Sequence, residues 1–113
     1  MNCRFIYTIK FVSDMDAAVK FYRDTLGLPL KFQSPEWSEF VTGPTTLALH
    51  KASSLNPAGK VQLGFSTPDL DRFYQEMSSL GYKFTQTPIM EGRSKLARFI
   101  EADGTECSMS EDR

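Results

Sequence analysis

The chain has 113 residues, of which 41% are hydrophobic, 24% charged and 12% aromatic, and this length suits one compact domain better than two. Thirteen basic and fourteen acidic residues leave a net charge of −1, which argues against nucleic acid or an anionic membrane surface as a partner. Because MNCRFIYTIKFVSD does not resemble a signal peptide and no apolar run is as long as a membrane span, we expect a cytoplasmic protein.

The first half of the chain predicts a strand, a helix and three further strands. FIYTIKFV is strand-like, and Ser13 with Asp16 then predicts a capped helix whose apolar residues recur every three or four positions as far as Gly27. The runs LPLKFQS, SEFVTG and TTLALHK follow, and turn residues separate them.

The second half predicts the same order of elements. KVQLGFST is a strand, Thr67 and Pro68 begin a helix that Gly81 ends, and YKFTQTP, KLARFIEA and ECSMSE read as strands. We interpret the stretch TPIMEGRSK, residues 87–95, as a loop that is either a lid or an ordinary connection.

These two halves form an internal repeat. FYRDTLGLPLKF in the first half is echoed by FYQEMSSLGYKF in the second, and aligning Asp14 with Asp69 places Tyr7 opposite Gln62. The predicted organisation is a single α+β domain, with module one at 1–52, a joint at 53–59 and module two at 60–113. Matching strand positions in the two modules are what a cleft near a pseudo-twofold axis requires.

Four stretches resemble the vicinal oxygen chelate superfamily, which contains glyoxalase I, extradiol dioxygenases, fosfomycin resistance enzymes and bleomycin resistance proteins. They are FVSDMDAAVKFYRDTLGLPL, LALHK, FSTPDLDRFYQEMSSLGYKF and RFIEADGTECSMSE. The resemblance implies tandem βαβββ modules whose curled mixed sheets form a shared cleft, and it implies a homodimer.

The resemblance also implies four metal-ligand positions, which fall on Tyr7, Ala48, Gln62 and Ser108. Catalytic divalent metals prefer imidazole, carboxylate or thiolate ligands, and alanine has no donor atom. We therefore expect no metal cofactor at the usual positions.

A displaced metal site is the alternative. Side chains in a strand alternate between the two sheet faces, so His50 shares a face with Ala48, and Glu106 shares a face with Ser108. His50, Gln62 and Glu106 are then candidate ligands for a divalent metal, or His50 is a candidate general base. The other interpretation is that His50 is half solvated at a strand end and that Glu106 faces water.

Several aromatic residues are candidates for ligand binding. Tyr7 is either a hydrogen-bond donor to a ligand or a half-buried strand residue. Trp37, between Glu36 and Glu39, suits stacking on a flat or cationic ligand, although a dimer contact is an equal alternative. Because neighbours in a strand point to opposite faces, only one of Arg98 and Phe99 can face the cleft, and the resemblance favours Phe99 for packing. The predicted ligand-binding residues are Tyr7, Trp37, His50, Gln62, Phe99 and Ser108.

Three functions are consistent with these features. The first is a metal-independent protein that binds a small aromatic or amphipathic molecule. The second is a metal-dependent lyase, isomerase or dioxygenase with the displaced site, and the third is a non-catalytic structural or regulatory dimer. Under each of them we expect two reduced cysteines, Cys3 and Cys107, because they lack metal-binding spacing.

Overall fold

The computed structural model describes residues 1–112, and these contain the predicted order of elements. The α+β class and the repeated order of one strand, one helix and three strands are confirmed. The strands are β1 (Arg4–Val12), β2 (Leu30–Gln33), β3 (Trp37–Phe40), β4 (Thr46–Lys51), β5 (Val61–Thr67), β6 (Phe84–Glu91), β7 (Ser94–Ile100) and β8 (Glu106–Glu111), and the helices are α1 (Met15–Lys20) and α2 (Leu70–Ser79). No helix within residues 1–112 is long and apolar enough to cross a membrane.

The chain divides into two compact units. The first unit is Tyr7–Val61, and the second combines Met1–Ile6 with the residues from Gln62 onward. The start of β1 therefore belongs with the second unit, where Arg4 forms an ion pair with Asp112 at 2.8 Å and Phe5 packs on Phe65.

In the first unit a mixed sheet has one face covered by α1. β1 runs parallel to β4, β4 is antiparallel to β3, and β3 is antiparallel to the edge strand β2. The amphipathic pattern of α1 buries its apolar residues against the sheet, because that removes their surface from water. The core on this side consists of Val12, Met15, Val19, Phe40 and Leu49.

The second unit repeats this arrangement. β5 runs parallel to β8, while β7 lies antiparallel between β8 and the edge strand β6. α2 covers one face of the sheet, and the core beneath it consists of Leu70, Phe73, Met77, Ala97, Phe99, Cys107 and Met109.

Both helices begin after an aspartate that caps the N-terminus. We predicted that the helices begin at Ser13 and Thr67, and the observed caps lie later in the chain. The Asp14 carboxylate accepts the N–H of Ala17 at 3.0 Å, and the Asp69 carboxylate accepts the N–H of Arg72 at 3.0 Å. Each aspartate has extended backbone angles and bonds the third residue after it, as capping requires. The two caps occupy the positions that the repeat aligns.

Two further predictions need correction. The first helix does not continue unchanged to Gly27, because a π-helical turn over Phe21–Thr25 follows α1. Residues 87–95 do not form a loop, because β6 extends to Glu91 and β7 begins at Ser94. The tight hairpin turn between them uses Gly92 at φ +63°, which glycine adopts without steric cost.

We predict that Asp69→Ala lowers the free energy of unfolding by about 1 kcal/mol, because an N–H at the start of α2 loses its side-chain acceptor. Asp69→Asn retains an acceptor oxygen and should stay close to wild type. Urea unfolding followed by circular dichroism measures both values. Equal stability of the alanine and asparagine variants would contradict the capping role.

Candidate functional site

The sheet face of the first unit that points away from α1 is rich in aromatic residues. Strand register identifies its members, because side chains on paired positions share a face. Phe11 and Trp37 both pair with His50, while Phe32 and Ala48 both pair with Glu39. We call this set the aromatic face, and it comprises Tyr7, Ile9, Phe11, Phe32, Trp37, Glu39, Ala48 and His50.

Trp37 is held in place by its neighbours on the aromatic face. Its ring meets the ring of Tyr7 at a centroid distance of 5.4 Å and that of His50 at 5.9 Å, both edge to face at 89°. Its indole N–H donates to the Glu39 carboxylate at 2.8 Å, and the Tyr7 hydroxyl lies 3.5 Å from the same oxygen. These contacts fix both the ring plane and the direction of the only indole donor in the chain.

His50 is half-buried beside Trp37, and its ring also packs on Phe11 at 5.0 Å. Its Nδ1 lies 2.8 Å from the backbone carbonyl of Lys51. A carbonyl oxygen only accepts, so Nδ1 must carry the proton. In the neutral ring Nε2 then keeps its lone pair, available to a donor, a proton or a metal.

The remaining polar candidates lie in the second unit. Gln62, only 2% exposed, donates its amide to Glu106 at 2.7 Å, and the Thr85 hydroxyl donates to the other oxygen of Glu106 at 2.6 Å. We call Gln62, Thr85 and Glu106 the polar cluster. Ser108 pairs with Arg98 and lies on the same sheet face.

Phe99 lies on the other face of β7. It is 7% exposed and packs against Phe73 at 5.4 Å, in the core beneath α2. Because successive residues of a strand point in opposite directions, Arg98 is the β7 side chain that shares a face with Ser108. Phe99, which we predicted to bind a ligand, therefore lies in the core beneath α2, and Arg98 lies on the face of Ser108 instead.

Residues 4–107 match the family model of the Glyoxalase/Bleomycin resistance protein/Dioxygenase superfamily. The chain belongs to this superfamily. A comparison with curated protein sequences gave no significant match.

Solved structures with the same fold come from several bacteria. Methylmalonyl-CoA epimerase from Mycobacterium tuberculosis has a TM-score of 0.79 and 18% identity, over 96% of this chain and 87% of that one. A superfamily member from Vibrio splendidus 12B01 has a TM-score of 0.74 and 15% identity, over 98% and 100%. A Legionella pneumophila protein described as NAD-dependent benzaldehyde dehydrogenase has a TM-score of 0.79 and 16% identity, over 95% and 98%. At such low identity these likenesses establish the fold alone.

The four positions at which the resemblance led us to expect metal ligands do not carry the imidazole, carboxylate or thiolate groups that divalent metals prefer. Ala48 has no donor atom and is fully buried, while Tyr7, Gln62 and Ser108 supply a phenol, an amide and a hydroxyl. Both oxygens of Glu106 already accept hydrogen bonds. Within residues 1–112 no three His, Cys, Asp or Glu side chains are grouped so as to hold a metal ion.

Ile9, Phe11, Phe32 and Thr85 are site residues that the sequence did not identify. Alternation in the run LPLKFQS would place Phe32 on the same face as Leu30, which packs toward α1. The register of β2 with β3 is irregular between these two residues, and this turns Phe32 to the opposite face, beside Glu39. Thr85 also had no usable signal, since its contact with Glu106 joins strands that lie 21 residues apart in sequence.

We predict that Glu106→Ala lowers the free energy of unfolding by about 1–3 kcal/mol, because the buried amide of Gln62 loses its acceptor. Glu106→Gln keeps one acceptor oxygen and should cost less. Glu91→Ala is the matched control, since this carboxylate of the same unit is 59% exposed and should change stability by less than about 0.5 kcal/mol. Chemical denaturation measures all three, and equal effects of the Glu106 and Glu91 alanine variants would refute the role of the polar cluster.

The two free cysteines differ in reactivity. Burial raises the pKa of the Cys107 thiol to about 12, and the Glu101 carboxylate 3.1 Å away adds to the increase. The thiolate is the reactive form, so Cys107 is not a candidate nucleophile. Cys3 is exposed, although partial desolvation raises its pKa too.

We predict that a disulfide reagent at pH 8 modifies one thiol of the native protein, Cys3, and a second only after unfolding. Cys3→Ser should abolish the native reaction. Absorbance of the released thiolate measures the number of reacting thiols. Rapid modification of Cys107 in the folded Cys3→Ser protein would show that its thiol is accessible.

Proposed function

We propose that the chain is a metal-independent member of the superfamily that binds a small aromatic or amphipathic molecule on the aromatic face. The proposal is based mainly on the position of Trp37, whose ring is held between the rings of Tyr7 and His50. Rigid aromatic walls provide a large apolar contact area without the entropy cost of ordering them when the ligand binds.

The donor chemistry supports a role without metal. Ala48 stands at the position where the superfamily usually presents a carboxylate, and its methyl group lies in the apolar cluster with Ile9 and Phe11. A cation at the usual position would lack this ligand. Ile9, Phe11 and Ala48 are themselves buried, and the partly buried rings of Tyr7 and Trp37 pack against them.

A metal-dependent lyase, isomerase or dioxygenase is the second candidate. The lone pair left on His50 Nε2 favours it, because neutral imidazole is a common metal ligand. The engaged oxygens of Glu106 count against it, since a metal would have to displace the bonds from Gln62 and Thr85.

We predict that a screen of small aromatic compounds raises the thermal unfolding midpoint, because a ligand that binds only the native state stabilises it. Ligands found in this way should bind chelator-treated and untreated protein equally. Titration of Trp37 fluorescence measures the affinity, since it is the only tryptophan.

Two results would overturn this function. The first is that the purified protein contains stoichiometric metal and that His50→Ala removes both the metal and ligand binding. This result would support the displaced metal site. If no compound in a broad library stabilises the protein, a structural or regulatory dimer becomes the better explanation.

A further inference from the structure

The carboxylate of Glu39 is half-buried, and within residues 1–112 it has no charged partner at salt-bridge distance. Its Oε2 accepts from the indole of Trp37 and lies 3.5 Å from the hydroxyl of Tyr7, and both donors are neutral. In the part of the chain that the structure describes, no ion pair within 4 Å includes Glu39. Its other oxygen, Oε1, accepts no hydrogen bond from those residues.

The aromatic face therefore offers hydrogen-bond acceptors to a ligand. The indole N–H of Trp37 is committed to Glu39, and the Nδ1–H of His50 is committed to the Lys51 carbonyl. Among residues 1–112, the polar atoms of Trp37, Glu39 and His50 that have no hydrogen-bond partner are Glu39 Oε1 and His50 Nε2. Both are acceptors when the His50 ring is neutral. A ligand that forms hydrogen bonds with both of these atoms must therefore contain N–H or O–H donor groups.

Aromatic residues are neighbours of Glu39 in the sheet. Phe32, which is 51% exposed, pairs with Glu39 across β2 and β3, and Trp37 shares the strand of Glu39 two residues earlier. Cations are attracted to aromatic ring faces, and a neighbouring carboxylate adds a charge-assisted hydrogen bond. An anionic ligand would instead meet an unpaired negative charge.

We propose that the aromatic face binds an organic cation with N–H donors, such as an amidinium, guanidinium or protonated amine on a flat apolar body. Glu39 receives the charged group, and the rings of Trp37 and Phe32 contact the body. This inference rests on the proposed function of the same face and adds the class of ligand.

Benzamidinium, benzamide and benzoate test the charge preference, because they share one ring and differ in the charged or polar group. Titration of the full-length protein, followed by Trp37 fluorescence and by calorimetry, should show benzamidinium binding at least about tenfold tighter than benzamide, with benzoate weakest. Glu39→Gln retains an acceptor for the indole and should remove most of the difference between benzamidinium and benzamide.

Glu36→Gln is the matched control, because this exposed carboxylate lies three residues away and pairs loosely with Lys51 at 3.7 Å. It should leave the order of affinities unchanged, and thermal unfolding verifies that both variants fold. If Glu39→Gln does not fold, the order of the three compounds on wild-type protein still decides, as does Glu39→Asp, which should retain a preference for the cation.

The outcomes separate the two proposals. If benzamide or benzoate binds as tightly as benzamidinium, or if Glu39→Gln keeps the full preference, the assignment of a cationic ligand is overturned while small-molecule binding stands. If none of the three compounds binds and a broad library yields no ligand, the proposed function itself fails.

Discussion

Each unit has a sheet with a single helix, and this constraint determines which residues form its core and which are available for function. Helix α1 buries one face of the first sheet, and α2 buries one face of the second. Since strand side chains alternate, every core residue places its neighbour on the opposite face. A register shift of one residue would exchange the two sets, so the apolar residues beneath the helices hold the candidate site residues in position.

Two carboxylates on the sheet faces that point away from the helices have different surroundings. Glu106 accepts from Gln62 and Thr85, one donor for each oxygen. Within residues 1–112, Glu39 accepts hydrogen bonds on one oxygen, Oε2, from the indole of Trp37 at 2.8 Å and from the Tyr7 hydroxyl at 3.5 Å. A carboxylate that is fully hydrogen-bonded by its neighbours is suited to holding strands together, whereas one with an oxygen left over can still bind a ligand.

Membership of the superfamily establishes the fold and leaves the reaction open. The structures that resemble this chain include proteins described as an epimerase and as a dehydrogenase, all at less than 20% identity. One architecture supports different chemistries because side chains on its sheets can change while the helix-covered cores keep the fold. At Ala48, a position where the resemblance leads us to expect a metal ligand, this chain has a buried apolar residue.

The sequence by itself determined the order of elements, the repeat and the equivalence of Asp14 with Asp69. Those features depend on local signals: periodicity, caps and turn residues. Only the tertiary structure decided that Arg98, and not Phe99, shares a face with Ser108, because alternation shows that neighbours point apart without showing which one a helix covers. It also decided the bonds of Glu106 and the environment of Glu39, since these depend on strands that pairing brings together from distant parts of the chain.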